Sequence, residues 1–224
     1  MALIENVVRR FAQYKSGGAQ TTGRGTGLES LAVAQVEQTG FEASRAGLRY
    51  GIGVLSGVTG IAPVQALPTT AAQWLLYNSS PTKAVAFDEL GVLLVSGTAG
   101  AGIVVLGGLV GPGTLPATLP SANAANVKCG LLSSGLPASK TSAVIVASGQ
   151  TLAAAPTNGW RTIAKCDSAN TAILSVAAIN AEVNGEIVVP PLHGFALVVT
   201  SPAGTTPLYA PHAAWCEFDT DLET

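Results

Sequence analysis

Charge is scarce in this sequence: Asp, Glu, Lys and Arg together make 11% of it, where an ordinary soluble domain carries about a quarter. A chain so poor in Glu and Lys is neither a helical bundle with solvated faces nor a disordered acidic segment. The net charge is -2 and no Lys/Arg run extends beyond Arg9-Arg10, so there is no basic stripe to follow a nucleic-acid backbone, and nucleic acid is not expected as a partner. Cysteine is also rare. Cys129, Cys166 and Cys216 are odd in number and widely spaced, which fits neither a disulfide framework nor a zinc site; buried free thiols are expected. No basic segment leads into an apolar core at Met1-Ala2-Leu3-Ile4-Glu5, so the expected place of synthesis is the cytoplasm, without export.

Histidine is scarcer still, and with it the means for general acid–base work. His193 and His212 are the only two, and neither accompanies a Gly-x-Ser-x-Gly elbow. His193, in Pro190-Pro191-Leu192-His193-Gly194, reads as a turn residue before a strand. The glycine runs Gly23–Gly27 and Gly97–Gly102 lack the Gly-Lys-Ser/Thr ending that cradles phosphate. Asp88-Glu89 and Asp219/Asp221 are the close carboxylates, but neighbours in one strand point to opposite faces and do not flank a cleft. No catalytic residue, metal ligand or cofactor site is assigned, and the protein is not expected to be an enzyme. Aromatics are only 5%, and Trp74, Trp160 and Trp215 read as core packing at strand positions.

What the chain does have is glycine, proline and short apolar blocks. From Leu90 to Val127 there is no charge at all, and Gly91–Gly111 is long enough to cross a bilayer. A spanning helix is nonetheless disfavoured. Its centre would be Ser96-Gly97-Thr98-Ala99-Gly100-Ala101-Gly102, each mid-helix Gly costs about 1 kcal/mol relative to Ala, and neither end carries Trp, Tyr or basic anchors. The pattern predicts two strands, Val92–Val95 and Ile103–Leu106, joined hairpin-fashion by the small residues, and no membrane contact.

Leu3, Ile4, Val7, Val8 and Phe11 recur at helical spacing opposite Glu5, Asn6, Arg9, Arg10 and Gln13. Residues 1–27 are therefore read as an N-terminal helical arm and Gly-rich linker, and these five apolar side chains as candidate partner contacts. Residues 28–224 are read as one β-domain. Strands are predicted at Leu31–Val36, Gly51–Leu55, Trp74–Tyr77, Val85–Leu90, Val92–Val95, Ile103–Leu106, Ala143–Ala147, Ile173–Ala178, Glu186–Val189, Phe195–Thr200 and Ala213–Phe218. Asn184-Gly185 predicts a two-residue hairpin, and the Pro/Gly/Ala-rich stretch from Gly107 to Ser142 a long loop or small helical excursion. The acidic residues Glu217, Asp219, Asp221 and Glu223 read as a solvated terminus. The expected class is all-β: an antiparallel two-sheet sandwich, of which the jelly roll is the eight-stranded form.

Several segments add a resemblance. Thr39-Gly40-Phe41-Glu42-Ala43-Ser44-Arg45-Ala46-Gly47 follows a Val-rich strand, Leu75-Leu76-Tyr77-Asn78-Ser79-Ser80-Pro81 leads into another, the turn Ser96–Gly102 follows, and Trp215-Cys216-Glu217 closes the chain. In this order they resemble the small jelly-roll structural proteins of tailed bacteriophages, of the capsid-decoration or minor-capsid type; the long segment after Gly107 departs from that pattern. The resemblance implies a virion component that decorates or stabilises the capsid through subunit–subunit contacts. Its partners would be copies of itself, expected as a homotrimer, and the major capsid protein or other virion proteins. The alternative is a tail- or spike-associated module that binds host glycan.

Overall fold

Alternation of apolar and small residues, interrupted by Gly and Pro, gives strands almost throughout. The computed structural model describes residues 43–44, 47–132, 141–167, 178–202 and 206–220. Ten strands are present among the described residues: β1 (Arg49–Val54), β2 (Ala71–Asn78), β3 (Lys83–Ser96), β4 (Ile103–Val110), β5 (Val127–Leu131), β6 (Val144–Thr151), β7 (Arg161–Cys166), β8 (Ala178–Val189), β9 (Gly194–Thr200) and β10 (Leu208–Asp219). They form two five-stranded antiparallel sheets, β5-β1-β10-β3-β8 and β6-β2-β9-β4-β7. The all-β two-sheet architecture expected from the sequence is thus present. The arm, with Leu3, Ile4, Val7, Val8 and Phe11, lies outside the described residues, as do Leu31–Val36 and most of Ile173–Ala178.

The pairing follows a simple rule. β1 pairs with β10, β2 with β9, β3 with β8 and β4 with β7, so the first four strands run antiparallel to the last four in reverse order. Consecutive strands β1 to β4 alternate between the sheets. β5 and β6 form the far end of this arrangement, adding one edge strand to each sheet beside β1 and β2.

The core lies between the sheets. Phe87, Leu90 and Val92 from β3, Trp215 and Tyr209 from β10, and Trp74, Leu76, Phe195, Leu197 and Val199 from the second sheet are all buried. Phe87 meets the edge of Trp215 with centroids 6.0 Å apart and tilts against Phe195 at 5.9 Å, geometries that add to simple area burial. β2 is buried on both faces. Its Ala72, Leu75 and Tyr77 join Val110 and Ala196 in a second apolar cluster on the outward side of the second sheet, roofed by Leu115, Leu152 and Trp160. The roof is pinned by backbone and indole hydrogen bonds: Leu115 N–H to Gly111 O at 2.9 Å, Leu152 N–H to Thr70 O at 2.8 Å, and Trp160 Nε1–H to Thr69 O at 3.2 Å.

Four expectations are corrected. Val85–Leu90 and Val92–Val95 are one strand, β3, because Gly91 is an outward strand residue where β8 passes so close that a Cβ would stand 2.2 Å from Ile179 O. The small-residue turn Ser96–Gly102 is not a hairpin; it carries the chain from one sheet to the other, since β3 and β4 lie in different sheets. Asn184-Gly185 does not reverse the chain either. Both residues have positive φ, 45° and 79°, but β8 runs on through them, and the register slips from Phe87↔Ile187 to Glu89↔Glu182. The pair forms an outsized bulge in an edge strand, a device that also blunts the edge against unwanted pairing. Finally, the Gly107–Ser142 stretch is not all loop: β4 continues to Val110, and β5 pairs with β1. Among the described residues no helix is long and apolar enough to cross a membrane; the charge-free run is strand and turn.

Candidate functional site

Two groupings of polar side chains stand out from the apolar framework, both built on β10. The first is a buried carboxylate. Period-two alternation puts Glu217 on the same inward face as Trp215, and it is fully buried. Its Oε1 accepts hydrogen bonds from Ser142 Oγ at 2.7 Å, Ala143 N at 2.8 Å and Trp215 Nε1 at 3.3 Å, while Lys83 Nζ stands 3.7 Å from Oε2. Ser142 in turn accepts from Val144 N at 3.0 Å. Since Glu217 belongs to the first sheet and Ser142–Val144 lead into the second, the carboxylate clamps the two sheets at one end. Its charge reaches further: burial, then Glu217, pushes the Cys129 thiol up to about 12 and also raises Tyr50. Reading Glu217 as part of a solvated acidic terminus is therefore corrected; Asp219 beside it is exposed, and Asp221 and Glu223 lie outside the described residues.

The second grouping is a row of ionisable groups on the outward face of the first sheet. Arg49 Nε lies 3.1 Å from Asp88 Oδ2, and the Cys216 thiol donates to the same oxygen at 3.6 Å. His212 Nε2 is 3.3 Å from Glu89 Oε2, whose other oxygen accepts from Asn180 Nδ2. Burial and the Asp88 charge push the Cys216 thiol up to about 11, against the opposing pull of Arg49. Between these pairs the outward positions are small on β5, β1 and β10 and acidic on β3 and β8. Gly130, Gly51, Ala214, Glu89 and Glu182 fall in one register row across all five strands.

These residues bond one another across the strands of the first sheet. His212 addresses Glu89, not a hydroxyl or thiol, and Cys216 is four residues further along the same strand, roughly 13 Å away at strand spacing. His193 closes the turn before β9, its N–H bonded to Pro190 O at 3.3 Å and its Nδ1 2.7 Å from Pro191 O. The three cysteines are half-buried, and Cys129 and Cys216, whose thiols burial raises, are poor nucleophiles at neutral pH. Among the described residues no three His, Cys, Asp or Glu side chains gather as a metal set.

Sequence reasoning missed a further buried polar residue, Asn78. It is 1% exposed; its Nδ2 donates to Lys83 O at 2.7 Å and Pro190 O at 3.0 Å, and its Oδ1 accepts from Ser80 N at 3.2 Å. Asn78 thus ties the β2–β3 turn to the β8–β9 corner. Its Asn-Ser-Ser-Pro context signalled a turn, but nothing local announced the partner more than a hundred residues away. Comparison with protein families, curated proteins and solved structures finds no match for the chain.

Proposed function

We propose that this protein is a non-enzymatic structural component of a bacteriophage virion, a jelly-roll subunit that decorates or stabilises the capsid by contact with its own copies and with the major capsid protein or other virion proteins. The observation that carries the reading is the strand pairing. With β5 and β6 set aside, eight strands remain, paired first with last from β1·β10 to β4·β7 and wrapped so that successive strands change sheet. That is how a long antiparallel ribbon rolls into a jelly roll, a form common among viral capsid proteins. Fold alone does not give function. Support beyond it comes from the resemblance in the sequence, from a surface too poor in charge to be solvated all round, and from polar groups engaged in ties between strands.

The homotrimer implied by the resemblance belongs to the same proposal, as does the role of Leu3, Ile4, Val7, Val8 and Phe11 as partner contacts. The glycan-binding reading needs exposed rings. Among the described aromatics Trp74, Trp215, Tyr50, Tyr77, Tyr209, Phe87 and Phe195 are buried, Trp160 is half-buried with its indole N–H bonded to Thr69 O, and Phe218 is exposed, so the assembly reading is preferred. The test is co-sedimentation of the purified protein with capsids, with and without residues 1–18. Binding that is lost on removing the arm, in a protein that still folds, is the expected outcome; absence of binding by the intact chain contradicts the function, and unchanged binding by the truncated chain contradicts the arm's part in it.

A further inference from the structure

We propose that the outward face of the sheet β5-β1-β10-β3-β8 docks a second copy of this chain, about a two-fold axis lying along β10. The inference rests on the reading that the protein works by self-association, and it names the surface and the symmetry.

The two sheets treat their outward faces differently. The second roofs its own with Leu115, Leu152 and Trp160 over a buried cluster. No such cluster lies on the outward face of the first among the described residues; there Leu132, 54% exposed, lies over Gly51, where a Cβ would stand 2.9 Å from its Cδ2, and Val188 and Phe218 are exposed at 43% and 38%. Two of its glycines have no internal reason to be glycine. A Cβ on Gly130 would meet nothing within 4 Å, and one on Gly53 only Lys128 O at 3.7 Å. Glycine inside a strand weakens it, and its presence often marks where another backbone comes close.

The central charges of this face pair with one another, Arg49 with Asp88 and His212 with Glu89, and its unpaired charge is divided between its edges. Lys128 is exposed on β5, and Glu182 and Glu186 are exposed on β8; none of the three has an ion-pair partner among the described residues. The central strand of the five is β10. Half a turn about an axis along it, in the plane of contact, lays β5 of each copy over β8 of the other while keeping height along the strands. Lys128 is two residues from the row that contains Gly130 and Glu182, about 7 Å, a span a lysine side chain covers. A two-fold axis across the strands would instead set lysine over lysine and glutamate over glutamate, so the charges select the first arrangement. Five strands at their usual spacing and about seven residues of each make a face of roughly 24 by 24 Å. Two copies would then bury on the order of 1,100 Å², just past the roughly 1,000 Å² expected of a specific interface.

A two-fold contact acting alone gives dimers, and combined with a three-fold contact it pairs trimers into hexamers; the number of copies is even in either case. The test is the mass of the full-length protein in solution by analytical ultracentrifugation. Lys128→Glu is expected to weaken the pair at least about tenfold, because symmetry applies each like-charge contact twice. Glu182→Lys with Glu186→Lys should do the same, and the three substitutions together should restore association. All three positions are exposed, and an unchanged thermal midpoint shows that the variants fold. A monomer or a trimer, an even oligomer indifferent to these changes, or failure of the triple variant to recover would each overturn the proposal. Co-sedimentation with capsids tests the structural role separately.

Discussion

Glu217 shows how much a single side chain can hold. Removing it by Glu217→Ala would strand the Ser142 hydroxyl, the Ala143 N–H and the Trp215 indole N–H that now bond its Oε1. At about 1 kcal/mol or more for each buried donor left unpaired, a loss of roughly 3 kcal/mol is expected in urea unfolding, with a smaller loss for Glu217→Gln, which keeps an acceptor in place. A change below about 1 kcal/mol for the alanine variant would mean that the clamp is not structural. The thiol beside it gives a pH prediction. Cys129 has its pKa raised from 9.0 to about 12, chiefly by burial, so the folded state favours the neutral thiol. Its contribution to stability is complete below pH 9 and is lost as pH rises towards 12. Tyr209, raised from 10.0 to about 12 by burial, adds to the same alkaline decline. Thermal midpoints measured from pH 8 upward should fall above pH 9, and less steeply for Cys129→Ala; equal slopes would contradict the assignment. At this scale the sequence was only partly legible. Trp215 and Trp74 could be assigned to the core from their size and strand context. Glu217 could not be told from its acidic neighbours, because the hydroxyl and amide that make its burial tolerable come from residues 142 and 143.

Elements were more legible than their connections. The apolar blocks around Trp74, Val85, Ile103 and Phe195 all proved to be strands, since β-branched and aromatic residues at period two leave little alternative. Turn chemistry misled twice, for one reason: a glycine with positive φ fixes the local backbone but not the fate of the chain beyond it. Asn184-Gly185 bulges a strand that continues, and Gly97 and Gly102, with φ of 80° and 74°, turn the chain into the other sheet. β5 and β7 escaped notice because Val127–Leu131 and Arg161–Cys166 are short and half-polar edge strands. Two predictions belong here. Gly185→Val should cost about 1–2 kcal/mol, the penalty of a side chain in the left-handed region, read as a shift of the urea midpoint; no shift would mean that the bulge relaxes freely. Leu115→Ala, which opens the roof over Leu75 and Tyr77, should cost about 2 kcal/mol or more and speed hydrogen exchange at residues 111–115 and 152–160. A loss confined to a few tenths of a kcal/mol would show that the roof adds little.

At the scale of the molecule, the sandwich holds its core through aromatic and branched side chains and treats its two outward faces unequally. One is sealed by the chain's own loops; the other pairs its central charges and carries unpaired ones at its two edges. The charge-free run that first suggests a membrane helix instead supplies the end of β3, all of β4 and the start of the loop that seals the second sheet. This economy of charge fits a protein whose surface is meant to be met by others, and the ties at Glu217 and Asn78 fit a subunit that must keep its shape under contact. The proposed virion role is tested most directly by quantitative mass spectrometry of virus particles purified from cells in which this protein is made, with heads and tails separated. The account predicts the protein in the head fraction, in fixed proportion to the major capsid protein. Its absence from purified particles would contradict the account.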